Sequence, residues 1–352
     1  MPQVKIKNIH IEAMAAAVPD RQAATSSYAE SLGKEKVSLW EDTNGISSRY
    51  LSSEEQTASD LGFVAANAIL ADKQIDKEEI GVIIVATSTP DYRGPATACV
   101  LHGRLGLSID CIAFDLNLGD CGFVIGLQTA SSILATTNKQ YALLITGDTT
   151  SMQLDYSKDS SLFFGDAASA VLLKKDLGAR EEIIVETGVE STGYDAFMLA
   201  EGGFRDDARK NNQGYLQFSE EHWWSFLNNQ FTRHLNHFLS SNKHAFSKES
   251  VLILPQMGNR TNVAFVEGVE SRFSNVPRVF DLFANTRGAT IPLVLAHLYG
   301  KDTSDKELEV VGTALGEGMS WGLTLFSVTA SAILPIIITA EVFAEGSVAR
   351  EI

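Results

Sequence analysis

The sequence predicts an α/β protein made of two duplicated halves, each with mixed, mainly parallel sheets layered with helices. Short β-branched runs alternate with apolar helical segments, which is typical of sheets covered by helices. Several segments also recur once, later in the chain, at a nearly constant spacing. The 352 residues are 45% apolar and 20% charged, so the chain is long enough and apolar enough to bury a large core.

Three pairs of segments carry the repeat. Each member is predicted to be a short buried strand, and two of the members share the tripeptide Phe-Asp-Leu. In both halves this tripeptide precedes a tight loop and an apolar helix, predicted over 123–135 and 289–298. The paired segments are 82–85 with 251–254, 114–116 with 280–282, and 143–147 with 308–312.

The repeat sets the predicted domain boundaries. The first half covers 1–175, the second covers 176–330, and 331–352 is an apolar tail of unknown role. The stretch 323–340 is nearly uncharged and just long enough to span a bilayer. Because Pro335 interrupts it, a buried strand followed by an extra apolar segment is the preferred interpretation.

A less regular stretch joins the two halves. It runs from 177 to 217, is rich in Gly, Asp and Asn, and is followed by an amphipathic helix predicted over 222–238. The stretch is either the rim of a pocket or a plain surface loop, and the composition does not separate these alternatives.

Charge and cysteine content exclude several classes of function. A formal charge of −16 repels phosphate backbones and anionic membranes, so no nucleic-acid or membrane partner is expected. An acidic protein partner would need a local basic patch. Cys99, Cys111 and Cys121 form no CxxC pair and fit neither a disulfide framework nor a zinc site, so no metal is expected. The start of the chain lacks the apolar run of a signal peptide, and a cytoplasmic setting is predicted.

Cys121 is the candidate nucleophile. It lies where a predicted strand has ended and a helix begins, and the free N–H groups of a first helical turn stabilise a thiolate. The alternative is a small buried apolar residue, as most free cysteines are. Asn285 occupies the equivalent loop of the second half, so the repeat is expected to bring the two together. By itself, Asn285 could equally be a helix N-cap.

Five motifs in the chain resemble those of β-ketoacyl-ACP synthase III, a family of the thiolase-like (condensing enzyme) superfamily. The resemblance covers about 5–328, includes the segment around Cys121, and implies a thiolase-like fold. The similar segments are Val-Ala-Thr-Ser-Thr at 85–89, Asp-Leu-Asn-Leu-Gly-Asp-Cys-Gly-Phe at 115–123, Phe-Gly-Asp-Ala-Ala-Ser-Ala at 164–170, Ala-Asn-Thr at 284–286 and Gly-Glu-Gly-Met-Ser-Trp-Gly at 316–322.

The resemblance implies roles for several residues. Cys121 would accept an acyl group from acyl-CoA or an acyl carrier protein, and Asn285 would hydrogen-bond a substrate carbonyl. The backbone N–H groups of Cys121 and Gly318 would hold an oxyanion. No cofactor is implied. A homodimer is expected, with a heterodimer with a related chain as the alternative.

The chain departs from the family at the third catalytic group. Pro255 occupies the position of the family's histidine, whereas the neighbouring Gln256 matches and is a candidate substrate-binding residue that could donate a hydrogen bond. Loss of such a donor typically slows the reaction about 10²- to 10³-fold. Another histidine could stand in for it, and His234 and His237 lie on one face of the predicted helix.

The predicted carrier-binding residues also differ. Trp40 and Lys158 are the candidates for contacting coenzyme A, but Thr43 stands where an arginine is expected, and a lysine cannot stack as guanidinium does. Glu317 replaces the middle glycine of the terminal loop. Its side chain would narrow the oxyanion site or change the charge there.

The sequence therefore predicts an acyltransferase of the synthase III type, atypical for decarboxylative condensation and suited to a specialised biosynthetic pathway. The first alternative is a catalytically impaired partner subunit of a heteromeric complex. The third hypothesis is a thiolase-type or other hydrolytic thioester enzyme. The thiolase variant is weak, because it would need an additional cysteine or histidine base in the second half and all three cysteines lie in the first half.

Overall fold

A computed structural model describes residues 3–178, 182–200, 203, 214–261, 269 and 271–343. The strands are β1 Gln3–Ile6, β2 Ile9–Pro19, β3 Gln22–Ala24, β4 Ser48–Tyr50, β5 Ile80–Ala86, β6 Ile112–Leu116, β7 Tyr141–Asp148, β8 Ala167–Lys175, β9 Ile183–Val189, β10 Phe197–Met198, β11 Gln217–Phe218, β12 Val251–Ile253, β13 Glu307–Gly316, β14 Ser320–Thr329 and β15 Ile337–Thr339. The α-helices are α1 Ala29–Leu32, α2 Lys34–Asn44, α3 Ala58–Asp72, α4 Thr97–Leu105, α5 Gly122–Thr136, α6 Glu220–Phe226, α7 Thr232–Ser241, α8 Phe280–Phe283 and α9 Thr290–Tyr299.

The strands form two large sheets that share one topology. The first sheet has the order β15-β2-β8-β7-β5-β6, and the second has the order β1-β9-β14-β13-β12. In the first sheet, two antiparallel pairings and then one parallel pairing join the run β2-β8-β7-β5. The same order of pairings joins the run β9-β14-β13-β12 in the second sheet. The repeat inferred from the sequence is therefore present as repeated strand order, and the predicted α/β fold class is confirmed.

Two details of the prediction need correction. Among the described strands of the two large sheets, four pairings are parallel and five are antiparallel, so the sheets are mixed but not mainly parallel. The predicted strand at 280–282 is wrong, because Phe280–Phe283 is a single helical turn. Phe280 and Phe283 are both buried, and their i, i+3 spacing suits one face of a helix.

The two sheets enclose a layer of helix. α5 packs on β5 and β7 of the first sheet and on β9, β13 and β14 of the second. α9 lies in the same apolar cluster, where Phe123 of α5 contacts Phe326 of β14. α3 and α4 cover the outer face of the first sheet, and α6 and α7, joined by a π-helical turn at Leu227–Phe231, cover the second. The helix predicted over 222–238 is thus confirmed.

The start of α5 is pressed closely against the first sheet. A methyl group on Gly122 would lie 3.0 Å from the Ala86 side chain, and one on Gly126 would lie 2.5 Å from Leu144. Glycine at both positions allows this approach, and the rest of α5 is strongly apolar. The residue that precedes Gly122 therefore lies near the carboxyl end of β5.

The described part of the predicted tail joins the first sheet. β15 pairs in parallel with β2, and Gln56 donates hydrogen bonds to the carbonyls of Thr339 and Glu341. Phe343 packs edge-on against Phe63 with ring centroids 4.5 Å apart. Residues 344–352 of the predicted tail lie outside the described residues. Within the described ranges, the structure contains no helix of sufficient length and apolarity to cross a membrane.

The stretch predicted to be irregular begins with a regular strand. β9 covers Ile183–Val189 in the middle of the second sheet, so the irregular part starts later than expected. Farther along, β10 pairs with β11, and the described residues between them border a surface cleft. Of the two alternatives for this stretch, its described part matches the rim of a pocket.

Candidate active site

Cys121 is the N-cap residue of α5 and is completely buried. Burial raises the pKa of its thiol to about 12, and the adjacent Asp120 carboxylate adds to the rise. Hydrogen bonding from Ser320 and from the Gly316 backbone opposes the rise, as does the positive charge of Arg287. Cys121 is therefore a neutral thiol at neutral pH in this structure.

Asn285 connects the second half of the chain to the Cys121 loop. Its Nδ2 donates a hydrogen bond of 2.8 Å to Oδ1 of Asp120, and its Oδ1 accepts one of 2.8 Å from the backbone N–H of Arg287. Ala284, just before it, has φ 57° and ψ −157°, a conformation that is strained for a residue with a side chain. The predicted meeting of the two loops is present, and the contact is made through Asp120.

A buried arginine occupies the centre of this site. Arg287 Nε lies 2.9 Å from Oδ2 of Asp120, and Nη2 forms an ion pair with Glu317. Nη2 also donates a hydrogen bond of 3.3 Å to Ser88 Oγ, and the guanidinium carbon lies 4.4 Å from the centre of the Phe197 ring. The guanidinium thus joins loops from both halves of the chain.

The charges around Arg287 are unbalanced. Three carboxyl groups face one guanidinium, because buried Asp148 adds to Asp120 and Glu317. Burial raises the pKa of both Asp120 and Asp148, and the charge of Arg287 partly opposes the rise in each. Asp148 Oδ1 accepts hydrogen bonds from the backbone and hydroxyl of Ser88, at 2.7 and 2.8 Å. With every carboxyl ionised, the cluster is net negative.

Sequence reasoning missed Asp120, Arg287 and Asp148. Asp120 and Glu317 stand inside two of the motifs that resemble the synthase III family, and Arg287 directly follows a third. A charged residue within or next to each of three motifs was the available signal. Among the described residues, no group of three or more His, Cys, Asp or Glu side chains is arranged to hold a metal ion.

Two cavities lie close to the Arg287 side chain. The outer one is a cleft of about 760 Å³ whose lining includes Ser88, Gly119, Phe197 and Glu317, all of which Arg287 approaches closely. The inner one, of about 10 Å³, is large enough for about one water molecule. Its lining is Asp120, Phe123, Pro255, Gln256, Asn285, Arg287, Gly288, Thr290, Ile291, Thr313, Ala314 and Leu315.

Pro255 lines the inner cavity at the position where the resemblance expects a histidine. The adjacent Gln256 is buried, and its amide bonds only to backbone: Oε1 accepts from the Val279 N–H at 2.9 Å and Nε2 donates to the Leu254 carbonyl at 2.8 Å. The histidines considered as substitutes lie elsewhere, since His234 stacks on Trp321 and His237 is near Glu186. All seven histidines lie within the described ranges, and none lines the inner cavity.

The remaining predicted site residues are Trp40, Lys158 and Gly318. Trp40 is buried and packs edge-on against Phe163, with centroids 5.0 Å apart. Lys158 is 63% exposed and lies 3.6 Å from Asp155. Gly318 has φ 110°, and a methyl group built on it would approach only Val189, whereas one on Gly316 would lie 3.4 Å from the Cys121 backbone nitrogen. The roles predicted for these residues stay predictions.

Burial and pKa together predict slow alkylation of Cys121. At pH 8 we expect iodoacetamide to modify exposed Cys99 at least about 100-fold faster than Cys121, because only a thiolate reacts and Cys121 is both enclosed and protonated. The rate at Cys121 should rise with pH towards a pKa of about 12. Peptide mass mapping at successive times measures both rates in one molecule. Equal rates at pH 8 would contradict the closed arrangement.

Comparison with known families identifies related proteins. Residues 114–193 match the family described as 3-oxoacyl-[acyl-carrier-protein (ACP)] synthase III, and residues 241–328 match the C-terminal domain of the same synthase. A protein of Campylobacter jejuni named as a 3-oxoacyl-[acyl-carrier-protein] synthase 3 is 31% identical over 296 residues, covering 79% of this chain and 81% of that protein. A β-ketoacyl-[acyl-carrier-protein] synthase III of Nitratidesulfovibrio vulgaris is 29% identical over 295 residues, covering 80% and 87%.

Solved structures agree on the fold. A 3-oxoacyl-(acyl-carrier protein) synthase from Burkholderia xenovorans superposes with a TM-score of 0.89 at 23% identity, covering 96% of this chain and 99% of that chain. A synthase III from Pseudomonas aeruginosa gives 0.80 at 24% identity, covering 95% and 100%. These likenesses show the thiolase-like fold, and the Campylobacter relative shows the family. The chain belongs to the 3-oxoacyl-[acyl-carrier-protein] synthase III family.

Proposed function

We propose that the protein is an acyltransferase in which Cys121 takes an acyl group from acyl-CoA or acyl-ACP and passes it to a second substrate. The observation that carries this proposal is the position of Cys121 as the N-cap residue of α5, next to the Asp120–Asn285 hydrogen bond. A cleft of about 760 Å³, within the range of small-molecule sites, is lined by Glu317, the ion-pair partner of Arg287. No cofactor is part of the proposal.

The first half-reaction exchanges one thioester for another. The Cys121 sulfur attacks the carbonyl carbon of the donor, the bond from that carbon to the carrier sulfur breaks, and the carrier leaves as a free thiol. Helix N–H groups at the start of α5 stabilise the negative charge that develops. Because Cys121 is completely buried and lines neither cavity, the structure has to open locally before the donor reaches the sulfur.

A second candidate is a catalytically impaired partner subunit of a heteromeric synthase complex. Complete burial of Cys121 and its pKa of about 12 favour this alternative, because both oppose nucleophilic attack. Retention of Cys121 and Asn285 in contacting loops favours the enzyme. The acceptor is proposed to belong to a specialised biosynthetic pathway, since Pro255 replaces the histidine that the family resemblance implies.

Acyl transfer to Cys121 is tested by intact-protein mass spectrometry. We expect the wild type, incubated with a panel of acyl-CoA and acyl-ACP thioesters, to gain the mass of one acyl group. Cys121→Ala should gain none, while Cys99→Ala, which removes an exposed thiol, should still be acylated. A folded wild type that gains no mass from any donor would overturn the acyltransferase proposal and leave the partner subunit.

A homodimer is proposed for the assembly and the cytoplasm for its location. β6 is an edge strand with one bonded neighbour among the described strands, and Ile109 and Ile112 beside it are exposed. Such an edge is suited to pairing with a second copy or with a related chain. All three cysteines are free, as expected in a reducing compartment. A monomer mass in sedimentation at micromolar concentration would contradict the dimer.

A further inference from the structure

Asp120 has a specific chemical role within this site. We propose that Asp120 is the proton acceptor of acyl transfer and that the acceptor substrate is an alcohol or an amine, not a malonyl thioester. The inference rests on the proposed function, because it concerns the fate of an acyl group already on Cys121. It adds a catalytic residue and a class of substrate to that function.

The geometry places Asp120 where a base is needed. Asp120 directly precedes Cys121, and its carboxylate lines the inner cavity together with Pro255 and Asn285. That cavity adjoins the position where the related synthases are expected to carry a histidine. Nδ2 of Asn285 and the guanidinium of Arg287 orient its two oxygens at 2.8 and 2.9 Å. A carboxylate oriented from both sides next to the nucleophile meets the geometric requirement for a general base.

The charge of the site decides between classes of acceptor. Asp120, Asp148 and Glu317 face the single cation Arg287, whose Nε and Nη2 already contact Asp120 and Glu317. With these three carboxyl groups ionised, a malonyl carboxylate entering the site would be repelled, and no histidine lines the inner cavity to stabilise an enolate. A neutral O–H or N–H nucleophile meets no such repulsion. It also carries a proton that must be removed, which is what a carboxylate can do.

The proposed step conserves atoms and charge. The acceptor oxygen or nitrogen bonds to the carbonyl carbon of the Cys121 thioester while its proton passes to Asp120. The bond from that carbon to the Cys121 sulfur then breaks, and Asp120 returns the proton to the thiolate. The products are an ester or amide and the free thiol. In the first half-reaction the same carboxylate receives the proton of the Cys121 thiol and returns it to the carrier sulfur.

Electrostatics support proton exchange at Asp120. Burial raises the pKa of Asp120 above its ordinary value, which makes its carboxylate a stronger base than that of an exposed aspartate. The charged and titratable groups that face it are Arg287, with Glu317 and Asp148 beyond the guanidinium, and the Cys121 thiol. The dependence of transfer on pH therefore reports the whole cluster, in which Asp120 directly precedes Cys121.

The test measures the lifetime of the acyl-enzyme. Wild type and Asp120→Asn are incubated with octanoyl-CoA, the variant for longer because the proposal also slows its loading. The donor is then removed, and loss of the acyl mass from the loaded fraction of each protein is followed in water and in ethanolamine, which offers both a hydroxyl and an amine. We expect Asp120→Asn to lose the acyl group about 10²- to 10⁴-fold more slowly in both. Hydroxylamine, a strong nucleophile that needs no base, should strip both proteins at equal rates. Malonyl-CoA should be left intact by both.

A matched control is available in the same chain. Asp60 is a buried carboxylate paired with Arg104 at 3.0 Å, much as Asp120 is paired with Arg287 at 2.9 Å, but it lies on α3, on the outer face of the first sheet. Asp60→Asn should lose its acyl group at the wild-type rate. Equal rates in wild type and Asp120→Asn would overturn the base, and release of carbon dioxide from malonyl-CoA would overturn the acceptor class. Failure of the wild type to load would instead overturn the proposed function.

Wild-type kinetics provide a readout that does not depend on the variant folding. The rate of acyl loss should rise as Asp120 ionises and level off above its pKa, with a midpoint above the ordinary aspartate value of about 4. A residue that only supports the structure would produce no such plateau. A rate that increases steadily with hydroxide concentration, with no midpoint, would contradict the role of Asp120.

Discussion

Replacing Arg287 with methionine is expected to lower the free energy of unfolding by about 3–5 kcal/mol at pH 7.5. The guanidinium is completely buried and contacts the carboxylates of Asp120 and Glu317. Removing it leaves these charges, together with Asp148, without their common cation in a site from which water is largely excluded. Urea unfolding followed by circular dichroism measures the loss.

The size of this loss should depend on pH. The pKa values of Asp120 and Asp148 are raised in the folded protein, so each binds a proton more readily when folded. Their contribution to stability is complete below the ordinary aspartate pKa of about 4 and is lost as the pH rises through the folded values. Without Arg287 the folded pKa values rise further. The deficit of Arg287→Met should therefore shrink as the pH falls from 7.5 to 4.5.

Two further variants separate the ion pair from generic effects. Lys158→Met removes a cation that is 63% exposed and 3.6 Å from Asp155, and it should leave the unfolding midpoint nearly unchanged. Arg287→Met combined with Asp120→Asn removes both partners of a buried pair and should recover part of the loss. A single Arg287→Met variant as stable as the wild type would mean that the three carboxyl groups are not held ionised by Arg287.

Much of the fold was predictable because it depends on local patterns. The buried runs at 82–85 and 143–147 and their counterparts at 251–254 and 308–312 all coincide with strands of the structure, since apolar β-branched runs bounded by turns have few alternatives. Phe280–Phe283 was predicted wrongly because a tripeptide shared with β6 fits a helical turn equally well. The ratio of parallel to antiparallel strand pairings could not be predicted from the sequence, because strand direction depends on long-range topology.

The site was predictable only in part. Cys121 and Asn285 follow from the repeat and the family motifs, and the structure brings their loops together. Arg287 was not anticipated, because a charged residue in a loop is ordinarily assumed to be exposed, and its partners Asp120 and Glu317 lie 167 positions before and 30 positions after it along the chain. Only tertiary structure reveals that such distant charges neutralise one another. Trp40, by contrast, was predicted to contact coenzyme A because of its position in the family pattern, and it lies in the core.

Replacing Asn285 with alanine is expected to slow acyl transfer from Cys121 by about 10²- to 10³-fold. Asn285 donates to Asp120 Oδ1 and accepts from the backbone N–H of Arg287, so it orients both members of the central ion pair. Its removal frees one carboxylate oxygen to rotate away from the reacting atoms and leaves a buried donor unpaired. Single-turnover decay of the octanoyl enzyme, measured by mass spectrometry, gives the rate.

Asn275→Ala is the matched control for this effect. Asn275 also donates a side-chain hydrogen bond, of 2.9 Å to the Tyr299 hydroxyl, but it does not line the inner cavity. Asn275→Ala should lose about 1–3 kcal/mol of stability, because it removes one hydrogen bond and leaves its partner unsatisfied. Asn285→Ala should lose at least as much, because its side chain bonds to both Asp120 and the Arg287 backbone. Only Asn285→Ala should transfer slowly. If both variants transferred at the wild-type rate, Asp120 would keep its orientation without Asn285, and Arg287 would be the group that positions the base.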